Sequence, residues 1–370
     1  MTHTRDYRLD LIRGLALLVI YVDHVTNCWL RYFTPQGWQV CDFAEVFVFI
    51  SGFSASVSYA RQERSGIEAV AVRAVGRAWK LYRWYILTLA ATLLTVRLAL
   101  MAGLPPLGST FLSFGQAPAR YLMGALYFRN IPNVFSVLAL YIGLLAAMPV
   151  MAWFSRRSLW KLVLLSVTVY VGSYLYVHWF PSAAAPGSIE AGDWTFKPLA
   201  WQLLFVLGYV WPRVRWPEWT RSRLLFGLGC GIVILCGILT LASLYSSDFH
   251  LRGTAKDSLG ILRIVNFAGW ILVIRPFWHA LPKRSWLMTC GRHSLTVYCA
   301  GAWLSIVSAL LIAAVHAGKI VQFGIVFCGV AGLVCLATTL ARMRSRVPGR
   351  VPGATAPAVP ASAQSPAPTG

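Results

Sequence analysis

The sequence predicts an all-α, polytopic integral membrane protein with about ten transmembrane helices, and three observations support this fold class. Of the 370 residues, 58% are hydrophobic and 12% are charged, with a mean hydropathy of +0.63. An average soluble domain has about 25% charged residues. The apolar residues form stretches of roughly 20 residues, the length that crosses a bilayer. Lys and Arg cluster in alternate loops between these stretches, a pattern typical of membrane proteins.

Ten apolar stretches are the candidate spans. They cover residues 9–30, 42–60, 80–102, 134–154, 159–180, 196–212, 222–245, 258–279, 293–315 and 320–341. Basic residues concentrate in the loops on one side, beginning with Arg5 and Arg8 and ending with the Arg-rich stretch that follows the last span. The positive-inside rule makes this side cytoplasmic and puts both termini there.

The regions around the spans have their own signatures. The first span follows a polar start without a small-residue cleavage site after it, so we expect a retained helix and not a signal peptide. Residues 103–133 contain four prolines, which predicts an outer loop with an interfacial segment around YLMGALYF. Residues 1–342 are expected to form one transmembrane domain. Residues 343–370, rich in Pro and Ala, are expected to form a disordered cytoplasmic tail.

The net charge of +21 does not indicate nucleic-acid binding, because the cations lie in alternate loops of a membrane protein. The eight cysteines show no metal-ligand spacing, so no metal site is expected. Cys28 and Cys41 should lie close together on the outer side. They are either bridged or packed as free thiols.

The first span carries four ionisable residues: Asp10, Arg13, Asp23 and His24. A charge deep in a membrane helix costs about 2.5 to 3.5 kcal/mol on insertion scales, so such residues are functional candidates. Arg13 and His24 are eleven residues apart, which on a helix is three turns plus about 20°. They therefore face the same side of the helix, roughly 16 Å apart along its axis.

Glu45 enters the second span at about the depth of His24, because the loop between the two spans is short. This spacing predicts an outer-leaflet cluster of His24, Asp23 and Glu45. A carboxylate beside an imidazole raises its basicity and fixes its tautomer, as a general base requires. The alternative is that these groups neutralise each other and hold helices together. Asp42, one turn before Glu45, is expected to be a solvated loop residue, and Gly52 to allow close helix packing.

Further candidates lie in later spans. Trp194 and Trp201, in WTFKPLAWQ, fit an interfacial aromatic belt or a saccharide contact, and Gln202 needs a partner inside its span. Arg263 lies in the outer half of the eighth span, where it could bind an anionic substrate group or pair with Glu45.

At the cytoplasmic start of the ninth span, GRHSLTVYC contains Arg292 and His293. Arg292 is also expected there as an ordinary loop charge. His293 is a candidate for contact with a cofactor.

Four segments resemble a known family: RDYRLDLIRGLALLVIYVDH, AEVFVFISGF, WTFKPLAWQLLFVLG and GRHSLTVYC. The Arg-x10-His spacing followed by FVFISGF is similar to the membrane acyltransferase-3 superfamily. The set as a whole more closely resembles the OpgC-type succinyltransferases of osmoregulated periplasmic glucans. Two positions depart from the family pattern: Lys197 stands where Asn is expected, and Asn266 where His is expected.

The resemblance implies a multi-pass protein of the bacterial inner membrane that transfers an acyl group from a cytoplasmic acyl-CoA to a periplasmic sugar hydroxyl. It implies succinyl-CoA as the donor, without a permanently bound cofactor, and a periplasmic glucan as the acceptor. Arg13 and His24 correspond to the motif residues. We expect Arg13 and nearby basic residues to hold the donor, His24 to deprotonate the hydroxyl, and Glu45 or Asp23 to orient the imidazole.

Two other functions remain open at this point. The first is O-acetyl transfer to another envelope polysaccharide. The second is transport of a small solute along a path lined by the intramembrane charges. Against transport, the sequence shows no internal repeat of the kind on which many transporters are built.

Overall fold

The computed structural model describes residues 6–104, 114–129, 131–179, 195–218, 222–245 and 251–345, and all regular secondary structure in these ranges is helical. The α-helices, numbered in chain order, are α1 Tyr7–His24, α2 Pro35–Trp38, α3 Phe43–Ser65, α4 Ile67–Met101, α5 Pro118–Leu126, α6 Ser136–Ala146, α7 Met148–Arg157, α8 Leu159–Trp179, α9 Pro198–Val210, α10 Arg223–Tyr245, α11 Ile261–Ile274, α12 Ser285–Arg292, α13 Ser294–Ala314 and α14 Lys319–Ser345.

The helical membrane architecture is confirmed. Within the described ranges, seven helices are long and apolar enough to span a bilayer: α3, α4, α8, α10, α11 with the 3-10 turn after it, α13 and α14. Helices α6 and α7 meet at a bend of 50° and make an eighth if the pair is one span. Helix α1 carries several charges and α9 has 13 residues. The count of ten spans and the cytoplasmic position of the termini stay predictions.

Helix α1 connects the two ends of the helical bundle, which are named here after its first and last residues. At the Tyr7 end, the Tyr7 hydroxyl donates to the Leu281 carbonyl at 3.3 Å. At the His24 end, the Trp29 indole N–H donates to the Lys319 carbonyl at 3.0 Å. By the loop charges of the sequence, the Tyr7 end is predicted to face the cytoplasm and the His24 end the outer side.

Helices α3 and α9 cross at a pair of glycines. A Cβ atom on Gly52 would lie 2.0 Å from the Phe205 carbonyl oxygen, and one on Gly208 would lie 2.0 Å from the Phe49 carbonyl oxygen. Any larger residue at either position would force the backbones apart. The close packing predicted for Gly52 is therefore confirmed, and it fixes the helix that carries Glu45.

The structure also bears on the predictions made for the regions outside the spans. Helix α5 contains most of the segment predicted to be interfacial. Helix α14 continues to Ser345, so residues 343–345 are helical, and the rest of the predicted tail lies outside the described residues. Cys28 and Cys41 are both buried free thiols, the second of the two alternatives.

Candidate active site

His24 is the last residue of α1, and its side chain is half-buried. The ring Nδ1 lies 2.7 Å from the Ile20 carbonyl oxygen, one turn earlier in the same helix. A carbonyl oxygen only accepts hydrogen bonds, so Nδ1 carries the hydrogen. In the neutral ring this leaves the Nε2 lone pair to accept a proton. The imidazole is thus oriented by its own helix.

A small cavity of about 10 Å³ lies beside the His24 ring, room for about one water molecule. It is lined by Leu17, Ile20, Tyr21, His24, Val134, Tyr298, Gly301 and Ala302. The ring therefore faces the interface of α1 with α13, where a reacting group would have to arrive.

Asp23 is buried at the end of α1 and accepts a hydrogen bond from the Thr34 hydroxyl at 2.5 Å. The same hydroxyl oxygen lies 2.8 Å from the Arg31 carbonyl oxygen. Asp23 thus ties the loop after α1 to the helix. The predicted role of orienting the imidazole is taken by the Ile20 carbonyl.

Glu45 is fully buried in the first turn of α3, and both of its carboxylate oxygens have partners. The Asp42 backbone N–H donates to one oxygen at 2.8 Å, which forms a capping box at the start of the helix. The Arg263 Nε donates to the other oxygen at 2.5 Å. The Glu45–Arg263 pair, one of two alternatives in the sequence, is therefore confirmed. The expectation that Glu45 orients the His24 ring stays a prediction, and the contacts described for its two oxygens are those with Asp42 and Arg263.

The prediction that Asp42 is a solvated loop residue is wrong. Its carboxylate is buried and lies 2.6 Å from the Lys256 Nζ and 3.1 Å from the Arg263 Nη2. Burial alone would raise the pKa of Asp42, but the two cations outweigh it and hold the pKa well below its usual range. Asp42 therefore joins the start of α3 to Arg263 of α11 and to Lys256 of the segment before it.

The two departures from the family pattern both have structural partners. Asn266 is buried; its side-chain oxygen accepts from the Cys41 N–H at 3.0 Å and its amide donates to Gln39 at 2.8 Å. Lys197 forms an ion pair with Asp257 at 2.9 Å. Asn266 thus holds the loop before α3, and Lys197 holds the segment before α11.

Trp201 and Gln202, both predicted to contact the substrate, have partners within the protein. The Trp201 ring is fully buried, its N–H donates to the Lys256 carbonyl at 2.8 Å, and it packs edge-on against Phe196. It presents no face to a sugar, so the contact predicted for Trp201 is corrected to a packing role. Gln202 has its partner in α8, where it bonds to the Ser166 hydroxyl and carbonyl, each at 2.8 Å. Trp194 lies outside the described residues.

Arg263 was also predicted as a possible contact for the substrate. Its buried guanidinium is bonded to Glu45 and Asp42. Its charge is already neutralised by two carboxylates. We infer that it positions the start of α3 and does not present a free cation to a substrate.

The predicted donor-binding residues lie nearer the Tyr7 end. Arg13 donates to the Ser54 hydroxyl of α3. Arg292 is half exposed, with its Nε 3.5 Å from the buried Asp10 carboxylate. His293 separates α12 from α13, and its backbone N–H donates to the Thr289 carbonyl at 3.1 Å.

A basic cavity of about 460 Å³, which the sequence did not predict, lies toward the Tyr7 end. Arg73, Arg77 and Lys80 of α4 line it, spaced four and three residues apart on one face of the helix. The remaining lining residues are Phe47, Leu81, Val137, Leu138, Tyr141, Ser294, Leu295 and Tyr298. The helical spacing of the three cations was visible in the sequence, but they were assigned to a cytoplasmic loop.

Tyr298 forms a wall of both cavities. Its hydroxyl donates to the Val134 carbonyl at 2.7 Å, and its ring stacks on Phe47 with a centroid separation of 6.2 Å. The basic cavity and the space beside His24 therefore share this lining residue.

Comparisons with known proteins agree with the resemblance noted in the sequence. A search of curated proteins found no match, and a search of solved structures found none either. The family model described as OpgC protein matches residues 5–345, which include every helix described above. The chain therefore belongs to the OpgC protein family.

Proposed function

We propose that this protein transfers the succinyl group of cytoplasmic succinyl-CoA to a glucose hydroxyl of a periplasmic glucan. Its family makes it an acyltransferase-type enzyme of glucan modification, and its apolar helices make it a membrane protein. The donor, the acceptor, the chemical step and the location in the bacterial inner membrane are the proposal.

One observation carries the proposal: the orientation of the His24 imidazole. Its Nδ1–H is held by the Ile20 carbonyl at 2.7 Å, so Nε2 is the basic nitrogen. His24 also lines a small cavity that shares Tyr298 with the basic cavity. A basic nitrogen of fixed tautomer is what a general base in acyl transfer needs.

In the proposed step, His24 Nε2 takes the proton of the sugar hydroxyl while the oxygen attacks the thioester carbonyl. A C–O bond forms, the C–S bond breaks, and the leaving sulfur takes the proton from the imidazolium. The products are a succinyl ester and the free thiol of CoA.

The basic cavity is the proposed place of the nucleotide part of the donor. Arg73, Arg77 and Lys80 offer three cations on one helix face, and Arg and Lys are the side chains that bind phosphate. Arg13, Arg292 and His293, expected from the sequence to hold the donor, stay proposals for its remaining polar groups. We place the path of the thioester arm toward His24 beside Tyr298, because this residue lines both cavities.

The test uses the purified full-length protein in lipid nanodiscs with succinyl-CoA and unsubstituted periplasmic glucan. We expect release of CoA thiol that depends on glucan, and a glucan mass increase of one succinyl group per thiol. Acetyl-CoA in place of succinyl-CoA tests the acetyltransferase alternative directly. No thiol release with either donor would contradict the proposal and favour transport.

A further inference from the structure

A second large cavity, of about 500 Å³, opens at the His24 end beside the loop that follows α1. It combines aromatic, amide and cationic side chains. They include Trp29, Arg31, Tyr32, Gln36, Lys319 and Gln322. The acyl-transfer step described above uses none of these six residues.

Hydrogen bonds between the loop and α14 build this cavity. The Trp29 backbone N–H donates to the Gln322 side-chain oxygen at 3.2 Å, and the Trp29 indole donates to the Lys319 carbonyl at 3.0 Å. The Gln322 amide in turn donates to the Ala317 carbonyl at 2.9 Å. These bonds join the two walls, so the cavity is a fixed feature of the fold.

The cavity is also connected to the catalytic base. Asp23, the residue before His24, accepts the Thr34 hydroxyl hydrogen bond that anchors the loop. Arg31, in the cavity wall, interacts electrostatically with both Asp23 and His24. The loop that forms the cavity wall is therefore anchored to Asp23, the neighbour of His24 in α1.

The lining identifies the class of ligand. The Tyr32 side chain is 72% exposed and presents an aromatic face, and amide side chains offer paired donors and acceptors. Aromatic walls with a few placed polar groups are typical of sites that bind small molecules. A neutral hexose needs no cation, whereas Arg31 and Lys319 would attract a carboxylate.

We propose that this cavity binds a segment of the acceptor glucan, and that Arg31 and Lys319 favour glucans that already carry succinyl carboxylates. The inference rests on the proposed function, since that reaction supplies both the glucan and its carboxylates. Binding at this cavity would hold one part of the glucan while a neighbouring glucose reaches His24.

Direct binding tests this inference apart from catalysis. Labelled periplasmic glucan, unsubstituted or chemically succinylated, is titrated against the full-length protein in nanodiscs. We expect Tyr32→Ala to weaken binding of both glucans about twofold to tenfold, the range of one aromatic contact. We expect Lys319→Gln to weaken binding of the succinylated glucan alone, by about twofold to fivefold. Tyr245→Ala and Arg252→Gln, at exposed residues of the same end, are the matched controls.

Wild-type affinity in Tyr32→Ala and Lys319→Gln would overturn the inference, even if acyl transfer proceeds normally. Equal wild-type affinity for the two glucans would overturn the charge preference. If glucan binding depends on Tyr32 but the protein releases no CoA thiol, the result would support glucan binding in this cavity and contradict the proposed reaction. The two failures are therefore distinguishable.

Discussion

The Arg263 guanidinium donates to the fully buried Glu45 carboxylate at 2.5 Å, across 218 residues of sequence. This ion pair joins the start of α3 to α11 at the His24 end. Asp42 adds a second carboxylate to the same guanidinium at 3.1 Å. Because all three groups are buried, each depends on the others for its charge to be stable. The pair therefore holds the start of α3 against α11.

Replacing Glu45 by Gln tests this structural role. The change leaves the Arg263 charge with Asp42 alone and is expected to lower the free energy of unfolding by about 3 kcal/mol, the lower part of the range for breaking a buried pair. Thermal unfolding in detergent and the amount of folded protein in membranes measure the effect. Glu68→Gln, an exposed carboxylate in the first turn of α4, is the control. A variant of normal abundance that has lost turnover would instead make Glu45 part of the catalytic machinery.

Replacing His24 by Gln removes the proposed general base and keeps a polar side chain. Loss of a general base lowers turnover by about 10²-fold to 10⁴-fold. The rate of glucan-dependent thiol release measures this loss, and the amount of folded protein should stay near that of the wild type. His316→Asn, in the exposed turn before α14, is the control. Normal succinylation of glucan by the His24 variant would exclude the proposed step.

Lys80 tests the basic cavity, since it is exposed there on the same helix face as Arg73 and Arg77. Lys80→Gln should raise the KM for succinyl-CoA about twofold to fivefold, the effect of one solvent-screened ion pair. The KM for succinyl-pantetheine, which lacks the phosphates, should stay unchanged. Arg64→Gln, exposed at the end of α3, provides a matched loss of charge. An equal rise in the KM for both donors would show that the cavity does not bind the phosphates of succinyl-CoA.

Acid should destabilise the protein through Asp42. Lys256 and Arg263 hold the pKa of this carboxylate below its usual range against the effect of burial. A lowered folded-state pKa contributes stability above the unfolded value of about 3.9, and that stability is lost as the pH falls from there toward the folded pKa. The unfolding temperature should therefore fall as the pH drops below about 4.

The variant Asp42→Asn separates this effect from general acid denaturation. It should be less stable than the wild type at pH 7 and should lose less on acidification. Glu218→Gln, an exposed carboxylate before α10, should keep the wild-type profile. Parallel pH curves for wild type and Asp42→Asn would show that Asp42 is not the titrating group.

The sequence predicted the helical architecture because span length and loop charge are local properties of the chain. All ten predicted stretches overlap helices, and Arg13 and His24 share α1 as their spacing required. It also offered the Glu45–Arg263 pair as an alternative, since both residues were assigned to the outer half of their spans. Span length, residue spacing and depth in the membrane, all read from the sequence, were enough for these predictions.

The partners of the buried polar groups were not predictable in the same way. The Lys256 contact of Asp42 spans 214 residues and depends on how a loop folds back. The Ile20 carbonyl that orients His24 is a backbone group. Every residue has one, so the side-chain types in the sequence do not identify it as the partner. The basic cavity was missed because its cations were assigned to a loop, whereas α4 begins at Ile67, well before the predicted start of that span.

The Tyr298 side chain gives a prediction about passage between the two cavities. Its hydroxyl bond to the Val134 carbonyl holds the ring in place. Tyr298→Phe removes this bond, which is typically worth about 0.5 to 1.5 kcal/mol. A weakening of about 1 kcal/mol lets the ring leave its position about fivefold more often. If the ring separates the thioester from His24, slow cleavage of succinyl-CoA by water in the absence of glucan should rise by a similar factor.

Tyr85→Phe is the matched control, because Tyr85 is also fully buried and its hydroxyl also donates to a backbone carbonyl, that of Ala125, at 2.8 Å. Both substitutions remove one hydroxyl and one buried hydrogen bond, so both should lower the unfolding temperature by a similar amount. Only Tyr298→Phe should accelerate thioester cleavage, since Tyr85 does not line either cavity. Equal cleavage rates in the two variants would mean that Tyr298 stabilises the fold without controlling the path to His24.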